Sequence, residues 1–216
     1  MSQAQSQKKP MNLKVRLLLV VTGILSIFVL YFVSGCMSLA PPSNTENLCL
    51  IFAEKRGWYR QAKRAEDRWD IPKTVLMSII NQESSFVHNA LPPRTKILGL
   101  IPWKRPSTAY GYAQALDITW NDYQARNNKK HARRTRFKDA IDFVGWYLDM
   151  AARATNVSRD DAKNLYVIYH EGITGFESND WKKKRFLLVA ATKVENRVKT
   201  YQSQLANCDQ GPARRR

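Results

Sequence analysis

The chain has 216 residues, with 35 Lys and Arg against 18 Asp and Glu, and a formal charge of +17. Its 44% hydrophobic content, with 9 Gly and 9 Pro, excludes a disordered or collagen-like chain, and 3 Cys are too few for a disulfide-built scaffold. The first 35 residues carry four of the cations and no acid, so the remainder stays strongly basic and suits an anionic partner: nucleic acid, anionic lipid or an acidic envelope polymer.

The N-terminus has the pattern of an export signal. Lys8, Lys9, Lys14 and Arg16 precede an uncharged apolar run from Leu17 to Val33, which ends at Val33-Ser34-Gly35-Cys36. That ending resembles a bacterial lipobox, in which the Cys36 thiol takes the lipid. The competing reading is an uncleaved membrane anchor, because the run is near the lower limit for spanning a bilayer, about 17 residues. Both place residues 37–216 outside the cytoplasm. Residues 1–35 are then the signal peptide and 36–47 a tether. With Cys36 lipidated, Cys49 and Cys208 either bridge the two ends of the domain or remain two separate thiols.

The rest of the chain reads as helical. Leu48 to Trp69 places apolar residues at 51, 52, 58, 62, 65 and 69, at helical intervals. Asp70 is suited to cap a following helix with Pro72 in its first turn, running to about Ser84 with Val75, Leu76, Ile79 and Ile80 on one face. Asn89 to Thr108, with Pro92, Pro93, Pro102 and Pro106, reads as a long loop. Ile118 to Asn127 suits a short helix, and Phe137 to Ala154 is amphipathic. Ser158 and Asp161 suggest a capping box opening a helix that Gly172 closes. A last helix spans roughly Asn179 to Leu205. The expected fold class is mainly α, with room for a small β-hairpin in the long loop. One folded domain covers 48–208, and residues 209–216 form a basic disordered tail.

Glu83 continues the apolar face of its helix, eight residues after Val75 and four after Ile79. A carboxyl at the mouth of an apolar cleft has its pKa raised, because desolvation disfavours the charged form. That is the property a general acid for glycosidic cleavage requires. By itself the position also fits a surface carboxylate at a helix end. Its neighbours are more specific. Glu83-Ser84-Ser85-Phe86 resembles the Glu-Ser-x-Phe signature of lytic transglycosylases with the soluble-lytic-transglycosylase (goose-lysozyme-like) domain. Gly111-Tyr112-Ala113-Gln114 resembles that family's Gly-Leu-Met-Gln motif, and Tyr169-His170-Glu171-Gly172 its Tyr-Asn-Ala-Gly motif. The resemblance covers about residues 50–205.

The resemblance implies a lysozyme-like α domain that cleaves peptidoglycan glycan strands. Glu83 is the implied acid and then base, closing the muramic acid C6 hydroxyl onto C1 without water. Tyr169 is implied to orient the Glu83 carboxyl, and Gln114 to hydrogen-bond sugar groups. Gly111 is implied to let the backbone approach the ligand, with Ser84, Ser85, Tyr112 and His170 lining the site. Tyr112 and Tyr169 also fit plain core aromatics. Tyr112 and Ala113 replace Leu and Met, and His170 and Glu171 replace Asn and Ala, which alters the subsites.

Trp103, beside Lys104 and Arg105, suits a substrate-binding flap or a hydrophobic plug over the cleft. The three His lie far apart without ligand spacing, so neither a metal nor another cofactor is expected. The basic runs Lys129–Arg134 and Lys182–Arg185 are solvated faces or contacts for anionic lipid headgroups or glycan-linked acids. The export signal argues against nucleic acid as the partner. The expected location is the periplasmic face of the outer membrane, through lipid on Cys36, because Met37 rather than Asp follows it. Two alternatives remain: a hydrolytic muramidase on the same fold, and a non-catalytic peptidoglycan-binding lipoprotein of an envelope assembly.

Overall fold

A computed structural model describes residues 12, 14–15, 17–26, 39–94, 96–97, 101–102 and 107–208. Cys36, Trp103 and the tail beyond residue 208 lie outside the described residues. The chain forms two compact units, Met1–Ala40 and Pro41–Arg216. In the first, residues 17–26 are helical. No helix among the described residues is long and apolar enough to cross a membrane.

The second unit is mainly α. Helix α1 (Leu48–Glu54) opens on Asn47, whose side chain accepts from the Leu50 amide at 3.1 Å. The expected single helix from Leu48 to Trp69 is broken at Lys55–Gly57, and α2 spans Trp58–Trp69. The apolar pattern runs through the break because both pieces bury residues in one core. Asp70 does not cap the next helix. It ends α2 in the left-handed conformation (φ 56°), with its N–H bonded to the Glu66 carbonyl. Helix α3 (Lys73–Ser84) starts after Pro72. The Lys73 N–H is satisfied by the Glu66 carboxylate at 3.0 Å.

A minimal antiparallel hairpin joins β1 (Lys96–Ile97) to β2 (Ile101–Pro102) inside the long loop. Then follow α4 (Asp117–Arg126), α5 (Phe137–Thr155), α6 (Ala162–Glu177), a 3₁₀ turn (Asp180–Lys183) and α7 (Arg185–Asn207). The capping box does not form: Asp161 is itself the N-cap, accepting from the Asn164 amide at 3.0 Å. Gly172 kinks α6 (φ 78°, ψ 169°) and does not end it, a conformation essentially restricted to glycine.

α3 is the central element. Residues 74–81 are all buried, against α2, α5 and α7. A helix buried on every side, with Thr74, Ser78 and Asn81 enclosed along with its apolar face, sits inside the domain. α2 lies close along α5 because Gly145 makes room for the Trp69 ring: a Cβ there would meet Trp69 Cδ1 at 2.5 Å. Trp69 Nε1 in turn donates to Asp142 at 3.0 Å. Asp142 also takes bonds from Tyr123 and Lys129, which ties α4 and its following loop to α5. Two cations of the run 129–134 are therefore structural, since Arg134 also ion-pairs with Asp117 at 2.7 Å.

The ends of the domain are fastened together. Cys49 and Cys208 form a disulfide spanning 159 residues, with Cα atoms 6.3 Å apart. Gln204 accepts from the Leu48 amide at 2.8 Å and donates to the Glu46 carbonyl at 3.0 Å. The Thr45 carbonyl accepts from Asn81 on α3 at 2.7 Å, and Ser43 bonds the Glu54 carboxylate. The later part of the expected tether is thus docked on the helical unit.

Candidate active site

The last turn of α3 delivers Glu83. The helix stops because Ser85 (φ 48°) and Phe86 (φ 63°) both turn left-handed, and the Ser85 N–H bonds the Asn81 carbonyl at 2.8 Å. Phe86 is fully buried and packs on Trp58, which anchors this turn. Glu83 keeps part of its surface open to solvent, yet burial by the surrounding protein pushes its pKa up to about 7. The Tyr166 hydroxyl, hydrogen-bonding to the carboxyl, works against that rise. Among the described residues no charged group contributes to the shift.

Tyr166 is the residue the sequence reading missed. It is buried on α6, and its own pKa is raised by burial and then by the Glu83 charge, so it stays a neutral donor. Gln82, next to Glu83, hydrogen-bonds the same hydroxyl and favours its oxygen as an acceptor. The hydroxyl therefore takes a hydrogen bond from one neighbour and gives one to the next. The signal was available: Tyr166 is one helical turn before Tyr169 and His170, so the three share a face.

Tyr169 stands near Glu83, whose charge contributes, after burial, to raising the phenol's pKa well above its ordinary value. Its hydroxyl does not reach the carboxyl as a donor. It donates to the Ala113 carbonyl at 2.5 Å and so ties α6 to the Gly111–Gln114 turn. Ser84 is also structural: buried, it donates to the Tyr112 carbonyl at 2.8 Å and joins the end of α3 to the same turn. Ser85 is exposed.

The Gly111–Gln114 turn closes through a bridge between Tyr110 and Ala115. Gly111 (φ 77°) is required by the neighbouring backbone at Arg134 and not by a ligand, because a Cβ there would stand 2.4 Å from the Arg134 carbonyl oxygen. The Tyr112 ring is buried edge-on against Trp58 and Phe137, and burial pushes its pKa to about 12, so it is a core aromatic. Gln114 (φ 46°) uses its amide N–H groups on the Ala90 and Gly111 carbonyls, both at 2.9 Å. Its side-chain oxygen accepts from no group among the described residues and is free for a ligand donor.

In the third motif the His170 ring packs between Tyr166 and Phe186. Glu171 pairs with Lys184 at 2.6 Å and with His170 Nδ1 at 3.1 Å. Lys184 holds its carboxyl below the ordinary range, so it remains ionised. The Gly172 kink leaves open space where a side chain would project. No group of three His, Cys, Asp or Glu among the described residues could hold a metal ion.

The family model of the transglycosylase SLT domain matches residues 24–208, most of the chain. The chain belongs to the transglycosylase SLT domain family. As a member it has the mainly α, lysozyme-like fold of that family, whose domain implies binding of peptidoglycan. The match takes in the whole helical unit up to Cys208 and all three motifs. No curated protein matches this SLT-domain chain.

Proposed function

We propose that this SLT-domain protein is a lytic transglycosylase that cleaves the MurNAc–GlcNAc β-1,4 bond of peptidoglycan and leaves 1,6-anhydro-MurNAc ends. The observation that carries the reading is Glu83 itself. It is one carboxyl at the end of a buried helix, with its pKa raised to about 7 by burial and, among the described residues, no second acid acting on it. At neutral pH about half of such a group is protonated, which suits one residue that must first give a proton and then take one. Retaining and inverting glycosidases normally use two carboxylates flanking the bond.

The steps balance around that single group. The protonated Glu83 gives its proton to the glycosidic oxygen as the C1–O bond breaks. The substrate's acetamido group stabilises the positive charge at C1. The Glu83 carboxylate then takes the proton of the muramic acid C6 hydroxyl, whose oxygen closes onto C1. Tyr166 donates to the carboxylate in the stage when it is charged, and Gln82 keeps that hydroxyl pointed towards it. The free oxygen of Gln114 accepts from a sugar N–H or O–H beside the bond. Lipid on Cys36 and an outer-membrane location complete the proposal, supported by the N-terminal pattern.

The test is release of soluble fragments from purified sacculi by the full-length protein and by Glu83→Gln. Wild-type release with a loss of roughly 10²-fold or more in the variant supports the reading. Equal release by both removes Glu83 from the mechanism. Retained sacculus binding without release by either would make the protein a binding module.

A further inference from the structure

Resting on that reading, we infer that Phe186 and His170 form an outer glycan-binding shelf, which extends the Glu83 site along the α6–α7 face towards a saccharide one or more units from the cleaved bond. A row of rings leads from the acid to the surface. Tyr166 hydrogen-bonds Glu83. Four residues on, the His170 ring lies 6.4 Å from Tyr166, and Phe186, from the first turn of α7, stands edge-on to His170 at 5.8 Å. Exposure rises along this row: Tyr166 is 4% exposed and Phe186 63%.

Phe186 does not stand alone: Val189, one helical turn on, is 62% exposed, so the row of rings ends in apolar surface that a bound ligand would remove from water. Apolar ring faces of sugars stack on aromatic side chains. Two residues after His170, the half-buried Gly172 leaves room: among the described residues nothing beyond its own stretch of chain lies within 4 Å of where a Cβ would sit. The occupant's charge is also indicated. Lys182 and Lys183 are exposed in the turn just before Phe186, and Arg185 adjoins it, also exposed. Lys184 is neutralised by Glu171, and Lys183 pairs with the exposed Asp180 at 3.4 Å, so Lys182 and Arg185 carry most of the rim's positive charge. An apolar shelf with a cationic rim fits a glycan strand carrying peptide carboxylates and fits an uncharged polysaccharide less well.

The test compares full-length wild type, Phe186→Ala and Phe186→Trp on purified sacculi and on short, peptide-free N-acetylglucosamine oligomers. For Phe186→Ala the shelf predicts a KM for sacculi about tenfold higher, with kcat within about twofold, and restored affinity in Phe186→Trp. Raising the salt concentration should weaken wild-type sacculus binding but have little effect on oligomer binding. An unchanged KM in Phe186→Ala beside active wild type overturns the shelf and leaves Glu83 catalysis standing. If wild type neither binds nor cleaves sacculi, the proposed function fails first and the shelf fails with it. Because Phe186 is largely exposed, the substitution is expected to leave the fold intact, and equal melting temperatures would verify that.

Discussion

A carboxyl held near neutrality by burial is a cost to the fold, and Glu83→Gln should remove it. The folded protein holds the Glu83 proton with a pKa of about 7, against 4.5 for the free group. The group's stabilising contribution is therefore full below about pH 4.5 and is lost as pH rises through about 7. Above that the ionised, desolvated carboxylate costs the folded state roughly 3 kcal/mol. Tyr166 and Tyr169 both stay neutral over this range because their pKa values are raised, so they add no competing titration. Glutamine keeps the shape without the charge. At pH 4 the variant and the wild type should melt together; at pH 8 the variant should melt roughly 5–10 °C higher. Melts followed by circular dichroism at the two pH values decide it. An equal difference at both, or a less stable variant at pH 8, would refute the claim that burial raises the Glu83 pKa.

Tyr166→Phe keeps the ring and removes the bond that lowers the Glu83 pKa. The alkaline limb of its kcat/KM profile on sacculi should move to higher pH, and an unmoved limb would show that the hydroxyl does not act on the acid. Cys49→Ser with Cys208→Ser opens a closure spanning 159 residues. The chain-entropy account sets the loss at about 5 kcal/mol, read as a lower urea midpoint; a shift below about 1 kcal/mol would mean the hydrogen bonds of Gln204 hold the ends unaided. Gly111→Ala drives a methyl towards the Arg134 carbonyl at a positive φ. It should cost roughly 2–4 kcal/mol and lower activity through the displaced Gln114, whereas a well-folded, fully active variant would separate this turn from the site.

The parts of the molecule set by local spacing could be read from the chain. The faces of α3 and α5 follow from 3.6-residue periodicity, and Glu83 stands out because it interrupts one of them. Hydrogen bonds link the three motifs to one another, but several of their residues have different work from that expected. Gly111 is glycine because the Arg134 backbone, 23 residues later, runs against it. Ser84 bonds the Tyr112 carbonyl, and Tyr169 the Ala113 carbonyl. These partners are set by the packing of distant segments, which no local pattern encodes. The helix break at Lys55–Gly57 was invisible for the opposite reason, since the apolar register continues across it into the same core. Tyr166 was overlooked because it lies outside the motifs, although its helical register with Tyr169 pointed to it.

The most direct test of the central claim is the mass of the fragments that the full-length protein releases from purified sacculi. The account predicts 1,6-anhydro-muropeptides from the wild type and none from Glu83→Gln. Fragments heavier by one water, with reducing ends, would contradict it, because they would require water and not the C6 hydroxyl to reach C1.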